Sequence, residues 1–284
     1  MTAAPAYSEA RVVALGARRY RVDVAPVASR VMSDGVVSDV AISPDGRIAL
    51  IARGSPAIRW IDEHGESRGA SNFPNITHGH SACFDASGRL YFVDSDRHCV
   101  HRFAKDGHRE LTLGRVDTPR WCEPFNHPTG VAVTSSGEIF VSDGYGNAHV
   151  HRFSPEGDHR LSWGGSGAVR GRFSNPHAIA VDDDDYVWVV DRENHRVQRF
   201  TPEGEWCDQL AGLYLPTAIA IGRDSTIYVT DQSPRLSAFR HDGSLIGRCR
   251  TFGAIGHGIA VDAKDDIYIA NMMPNCVTRL RRMD

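Results

Sequence analysis

The stretch "NPHAIAVDDDDYVWVVDREN", residues 175–194, decides the fold. A short apolar run, Ala178 to Val181, leads into four consecutive aspartates, and a β-branched and aromatic run, Tyr186 to Val190, leads out of them. Such residues fit a pleated, half-buried surface, and a polar turn between two of these runs reads as a β-hairpin. His177 stands where the first strand begins, a titratable ring at the mouth of an apolar strand.

The same hairpin recurs along the chain, in copies that begin at Val37, Gly79, Pro128, Pro176, Pro216 and Gly256. In each, a short apolar strand meets a polar turn ("SPDG", "ASG", "SSG", "DDDD"), and a second strand such as "IFVSD" follows. A third strand such as "VHRF" or "VQRF" comes after a loop, then a "PEG"-like turn and an outer strand such as "RLSWG". No segment carries a sustained helical period. Six four-stranded units in series predict an all-β fold, a six-bladed β-propeller. The sixth copy reaches Asp284 at its third strand, while "RRYRVDVA" (18–25) has no unit of its own. That segment is expected to complete the last blade and close the ring, which removes an open sheet edge. The expected organisation is an N-terminal arm over 1–17 and a single propeller over 18–284.

The 284 residues carry a net charge of -3, and lysine occurs only at Lys105 and Lys264. No basic field therefore invites nucleic acid or an anionic membrane. No stretch approaches the roughly 20 apolar residues of a membrane helix, and the amino terminus has no apolar h-region. The expected location is the cytoplasm. The six cysteines, Cys83, Cys99, Cys122, Cys207, Cys249 and Cys276, show no paired metal-binding spacing and are expected as free thiols.

The second residue of the six copies is Ser38, His80, Thr129, His177, Thr217 and His257. Histidine thus occupies every second blade. First strands line a propeller's channel, and alternate blades of six stand about 120° apart, so the three rings point inward at one height. Taken singly, each could be a channel-wall residue bonded to water or backbone. Three in strict alternation point to a metal ligated by His80, His177 and His257, with room for a further ligand. Zinc suits three imidazoles, as do iron and copper. His78 is the nearest competitor, and the remaining histidines, among them His98, His101, His127, His149, His151 and His195, are expected on surfaces or loops.

The end of strand two shares a rim with the start of strand one. The residues just after strand two are Arg53, Ser95, Gly144, Arg192, Gln232 and Met272, with Tyr145 following Gly144. Guanidinium groups bind carboxylate in bidentate fashion. A phenol beside a cation and a metal can serve as a base. The plainer readings are ion pairs with neighbouring aspartates, such as Asp191, for the arginines and rim packing for Tyr145. The set together points to a site in which Arg53, Arg192 and Tyr145 are catalytic. Recurring aspartates at strand two's end, Asp94, Asp143, Asp191 and Asp231, point to a structural hydrogen-bonding task. Asp182 to Asp185 read as a solvated turn.

The "RF-x-P-E-G" hairpins and "GVAV…IFVSD" strands resemble NHL-repeat propellers. The strings "ARG" with Arg53, "HSACFDASGRLYFVD" with His80, "VSDGYGN" with Tyr145, "PHAIAV" with His177, "DREN" with Arg192 and "HGIAV" with His257 resemble the peptidyl-α-hydroxyglycine α-amidating lyases. The resemblance implies three zinc-binding histidines, a tyrosine near the substrate hydroxyl and arginines on its carboxylate. It implies cleavage of an N–C bond in a carbinolamide, giving an amide and glyoxylate. The family's aspartate after its last metal histidine, associated with structural calcium, is Gly258 here, and Asp39 fills the equivalent slot in copy one. The family's Met-Pro before that histidine is Ile255-Gly256, and the cysteine after its tyrosine is Gly146, so one family disulfide is missing. The expectation is a protein without an attached copper monooxygenase domain. The expected substrate is a small carboxylate-bearing α-hydroxyglycine derivative rather than a peptide hormone. Two other readings stand beside this one: a metal-dependent amide or lactone hydrolase on the same platform, and a non-catalytic NHL interaction scaffold.

Overall fold

The computed structural model describes residues 11–23, 35–71, 76 and 78–283. Six antiparallel sheets follow one another along the chain. Their innermost strands are Val36–Ile42, Gly79–Phe84, Gly130–Val133, Pro176–Val181, Pro216–Ile221 and Gly256–Val261. Each lies beside the next, and the sixth lies beside the first, so the sheets form a closed six-bladed propeller.

Apolar side chains on both faces of the second strands explain the ring. Val187–Asp191 is buried throughout. The core divides into clusters that span blade junctions. One joins Phe140, Val150 and Phe173 of blade three to Ile179, Val187, Val189 and Phe200 of blade four. Burying each such side chain contributes about 1.5–3 kcal/mol. That stabilisation lies between blades, so the axis can stay hollow.

Closure uses the predicted segment. Arg18–Asp23 pairs antiparallel with Cys276–Arg282, in register from Tyr20↔Arg282 to Asp23↔Arg279. Val24 and Ala25 of that segment lie outside the described residues. A further strand, Val12–Leu15, falls within the stretch expected to be an arm and makes the sixth blade five-stranded. Its Leu15 and the adjoining Tyr20 are buried with Tyr228 and Leu236 of blade five. Arg18 donates to the Tyr228 hydroxyl at 2.8 Å and pairs with Asp224. The closing hairpin therefore grips two blades.

Three of the four recurring aspartates, Asp143, Asp191 and Asp231, bind backbone and side-chain donors, whereas both oxygens of the buried Asp94 have no hydrogen-bond partner among the described residues. Asp191 accepts from the Ser174 amide at 2.7 Å, from Asn194 at 2.8 Å and from Arg196 at 2.8 Å. Asp143 accepts from the Asn126 amide at 3.0 Å and from Asn147 at 2.7 Å. The acidic turn is not wholly solvated. Asp182 is buried and accepts from the Tyr186 amide, Trp188 Nε1 and His241 Nε2. Protein donors from its own hairpin and from blade five engage both of its oxygens. Three of the histidines expected on surfaces or loops are buried: His101 and His151, which alternate inward on the third strands of their blades, and His98, in the turn before one of those strands. All six cysteines are free. Among the described residues no helix is long and apolar enough to cross a membrane.

Candidate metal centre

His80, His177 and His257 are buried at the channel mouth, each the second residue of an innermost strand. One ring nitrogen from each lies within 4.8 Å of the others. The ring centroids are 4.8–5.1 Å apart and meet edge to face. Among the described residues this is the one cluster of three histidine, cysteine or carboxylate groups able to share an ion.

The outer nitrogens are all engaged. His80 Nδ1 donates to the Thr129 carbonyl at 2.6 Å, His177 Nδ1 to the Thr217 carbonyl at 2.7 Å, and His257 Nδ1 to the Ser38 carbonyl at 2.7 Å. A carbonyl can only accept, so each Nδ1 carries the proton and each Nε2 keeps a lone pair. Burial, and then the charges of neighbouring groups, hold His80 and His177 well below the ordinary imidazole range. Burial and Arg53 bring His257 down to about 3. The three rings are neutral at physiological pH, each with an Nε2 lone pair able to ligate.

The rim residues gather at this point. Tyr145 places its hydroxyl 2.8 Å from His80 Nε2 and 3.1 Å from His177 Nε2. Arg53 Nη2 donates to His257 Nε2 at 3.2 Å. The Arg192 guanidinium lies 5.8 Å from the Tyr145 ring centroid, and its Nε donates to Glu193. Asp191, the partner that the plainer reading offered Arg192, is occupied by Arg196 instead. His78 stays outside the triad, paired with Asp96 at 3.1 Å.

These residues fit a bound cation. One phenol proton and one guanidinium can serve two of the three Nε2 lone pairs at once, and the third has no donor among the described residues. Converging neutral imidazoles in a desolvated pocket are a donor set that can hold a metal ion. Tyr145 is 40% exposed, so the centre opens to solvent on its rim side.

Two glycines bring Tyr145 there. A Cβ on Gly144 would lie 2.2 Å from the Pro176 carbonyl oxygen, and one on Gly146 would lie 2.3 Å from Asn126 Cγ. The tyrosine loop therefore presses against the loops on either side of it. The supporting Asn126, like the carbonyls of Ser38, Thr129 and Thr217, went unassigned from sequence. Alternation at position two had singled out the hydroxyl residues but suggested no role for them.

The channel holds a cavity of about 320 Å³ that the three histidines themselves help to line. Its one carboxylate among the described lining residues is Asp39. Both Asp39 oxygens are taken, by the Val40 amide at 2.8 Å and by Ser81 Oγ at 2.8 Å and the Ala82 amide at 3.1 Å. It bridges blades one and two in space that a side chain on Gly258 would fill, 2.2 Å from Asp39 Oδ1. Burial raises its carboxyl to about 7. A lone carboxylate saturated by protein donors does not fit a calcium ligand set, which needs six to eight oxygens.

The NHL repeat model matches residues 125–153 and 173–200. The chain is 40% identical over 132 residues to the peptidylglycine alpha-amidating monooxygenase of Rattus norvegicus, a match covering 43% of this chain and 13% of that protein. It is 35% identical to the peptidyl-alpha-hydroxyglycine alpha-amidating lyase 1 of Drosophila melanogaster, over 50% of this chain and 29% of that one. It is 28% identical to a probable lyase of the same name in Caenorhabditis elegans, over 86% of this chain and 72% of that one. The match thus spans a small fraction of the rat and fruit-fly proteins' own length. Among solved structures, a gluconolactonase from Xanthomonas campestris superposes with a TM-score of 0.72 at 18% identity, over 96% of this chain and 94% of that one. A streptogramin B lyase superposes with a TM-score of 0.67 at 12% identity, over 93% and 98%. At such identities these two share the fold alone. The chain is a six-bladed β-propeller that carries NHL repeats over 125–153 and 173–200 and has sequence homology to the peptidyl-α-hydroxyglycine α-amidating lyases.

Proposed function

We propose that the protein is a zinc-dependent lyase that cleaves the N–C bond of an α-hydroxyglycine-type carbinolamide, releasing an amide and glyoxylate. The observation that carries this reading is the convergence of three neutral Nε2 atoms with the Tyr145 hydroxyl and Arg53 at a solvent-reachable mouth. His80, His177 and His257 would hold the ion. When bound, zinc supplies Lewis-acid polarisation of an oxygen.

The chain's own groups account for the rest. The substrate carries a carboxylate next to the reacting carbon. Arg53 and Arg192 bring two guanidinium groups to the mouth, and charge-assisted pairing with that carboxylate fixes the carbinol carbon beside the histidines. The reaction moves one proton. The hydroxyl O–H bond breaks and its electron pair becomes the second C=O bond of glyoxylate. The C–N pair stays on nitrogen, which takes up a proton. No oxidant or reductant is consumed. Tyr145 can hold that proton on its hydroxyl oxygen, within reach of two imidazoles. The substrate is a small N-acyl or N-alkyl derivative, with neither nucleic acid nor membrane as partner. Six free thiols support a reducing, cytoplasmic setting.

The test is incubation of metal-loaded protein with α-hydroxyhippurate. Glyoxylate and benzamide should appear in equal amounts, cease on chelation and return with zinc. Zinc-loaded protein that releases no glyoxylate from any α-hydroxyglycine derivative would favour hydrolysis on the same platform.

A further inference from the structure

The hydroxyls of the odd blades form a pattern as strict as that of the histidines. Ser38 Oγ donates to the Gly79 carbonyl at 2.6 Å, Thr129 Oγ1 to the Pro176 carbonyl at 2.6 Å, and Thr217 Oγ1 to the Gly256 carbonyl at 2.6 Å. Gly79, Pro176 and Gly256 are the residues immediately before His80, His177 and His257. Each even-blade histidine in turn donates Nδ1 to the backbone carbonyl of the next odd blade's hydroxyl residue. The bonds alternate, imidazole to carbonyl and hydroxyl to carbonyl, and pass once around the channel across every blade junction. The junction between blades six and one is crossed by His257 to Ser38.

We infer that Ser38, Thr129 and Thr217 are positioning residues for the metal centre, an inference that rests on the three-histidine metal reading. The physical reason is peptide planarity. The carbonyl oxygen that each hydroxyl holds lies in one rigid plane with the amide nitrogen and Cα of the histidine that follows. Holding that oxygen fixes the histidine's N–Cα bond and so narrows where its Cα–Cβ bond can point. The same residue's carbonyl fixes the ring rotation and tautomer of the preceding histidine. One residue therefore orients two ligands, one through its side chain and one through its backbone. Outer contacts of this kind tune a site that the first ligands alone leave loose.

The three positions are not equivalent. Gly256 O also accepts from Thr230 Oγ1 at 2.7 Å, so Thr217 has a reserve donor beside it. Ser142 Oγ lies 3.0 Å from Thr129 Oγ1, whereas the corresponding place beside Ser38 is Ile51, which offers only a backbone carbonyl at 3.3 Å. Loss of the hydroxyl should matter most in blade one and least in blade five.

The experiment compares Ser38→Ala, Thr129→Val and Thr217→Val with Thr129→Ser and Thr217→Ser. Zinc affinity is read by competition with a chromophoric chelator, and ligand geometry by the visible spectrum of the cobalt(II)-loaded protein. Affinity should fall about tenfold in Ser38→Ala, the low end for loss of an outer contact, and less in Thr217→Val. The cobalt spectrum should shift, and the serine variants should match wild type. Melting temperatures lowered with affinity and spectrum unchanged would overturn the inference and leave the hydroxyls as staples of the fold. If wild-type protein itself bound neither zinc nor cobalt, the metal reading would fall first. Should Thr129→Val not fold, Ser38→Ala, the smallest truncation, decides the matter.

Discussion

The channel histidines and those of blade three are the same amino acid in opposite situations. In blade three, His151 places Nδ1 2.7 Å from Ser162 Oγ and Nε2 3.3 Å from Asp143 Oδ2. Asp, His and Ser in that order resemble a nucleophilic triad. Yet His151 and Asp143 are wholly buried, and the column repeats in other blades with different chemistry. In blade four Gln198 donates to Asp191, in blade six Asn271 donates to Thr278, and in blade two His101 bonds Thr112. A feature that survives replacement of histidine by glutamine or threonine ties strands two, three and four of one sheet together. The channel triad joins different sheets instead, and its members are all histidine. Convergence between blades carries the proposed chemistry, and a column within a blade carries the architecture.

The sharpest way to break that contrast is His177→Ala. It should abolish stoichiometric metal binding and lower glyoxylate release by more than about 100-fold, beyond the range for loss of an outer contact. Metal analysis with a turnover assay checks it, and a variant that retains metal would refute the triad. Next in size, Tyr145→Phe should leave metal content unchanged while kcat falls about 10²–10⁴-fold, the contribution of a positioned acid or base. Arg192→Ala should act mainly on KM, with kcat/KM weakened by about 1.5–3 kcal/mol for a lost hydrogen bond to a charged group. Steady-state kinetics separates the two roles.

Much of this was legible in the sequence because it is periodic. Counting from each hairpin start puts Ser38, His80, Thr129, His177, Thr217 and His257 in one ring, and strands of known order put Tyr145, Arg53 and Arg192 on the same rim. What was not legible depends on partners far away in the chain. Arg53 reaches His257 across 204 positions. The carbonyls that fix the imidazole tautomers are backbone atoms, which no residue type announces. Val12–Leu15 forms a strand because Arg18–Asp23 and blade five offer it a surface, not because four residues prefer one. Asp182 is buried because Trp188 of the next strand and His241 of a turn in blade five meet it, although its own surroundings in sequence are acidic.

A smaller effect sharpens the comparison from the column side. His101 is buried in blade two, and burial, then Arg109, lowers its imidazole to about 4 from an ordinary 6.5. Below pH 6.5 the unfolded chain takes up a proton that the native ring refuses. The stability contributed by the neutral ring is fully present above pH 6.5 and is lost as pH falls towards 4. His101→Gln borrows the residue of the equivalent place in blade four, Gln198, and has no proton to gain. Relative to wild type it should lose about 1.4 kcal/mol less for each pH unit between 6 and 4. Urea unfolding at several pH values measures this, and parallel pH profiles would show that the native ring titrates normally.

The smallest effect belongs to Ser162→Ala, and it tests the distinction most directly. The hydroxyl contacts His151 Nδ1 at 2.7 Å and His159 Nε2 at 2.8 Å. If the column only ties strands together, its removal costs about 0.5–1.5 kcal/mol, the net worth of such a hydrogen bond. Glyoxylate release and metal content should stay at wild-type values. Were Ser162 a nucleophile, the variant would instead keep its melting temperature and lose an ester- or amide-cleaving activity that His177→Ala retains. The two variants therefore exchange phenotypes under the rival assignments, because one centre lies between blades and the other within a single sheet.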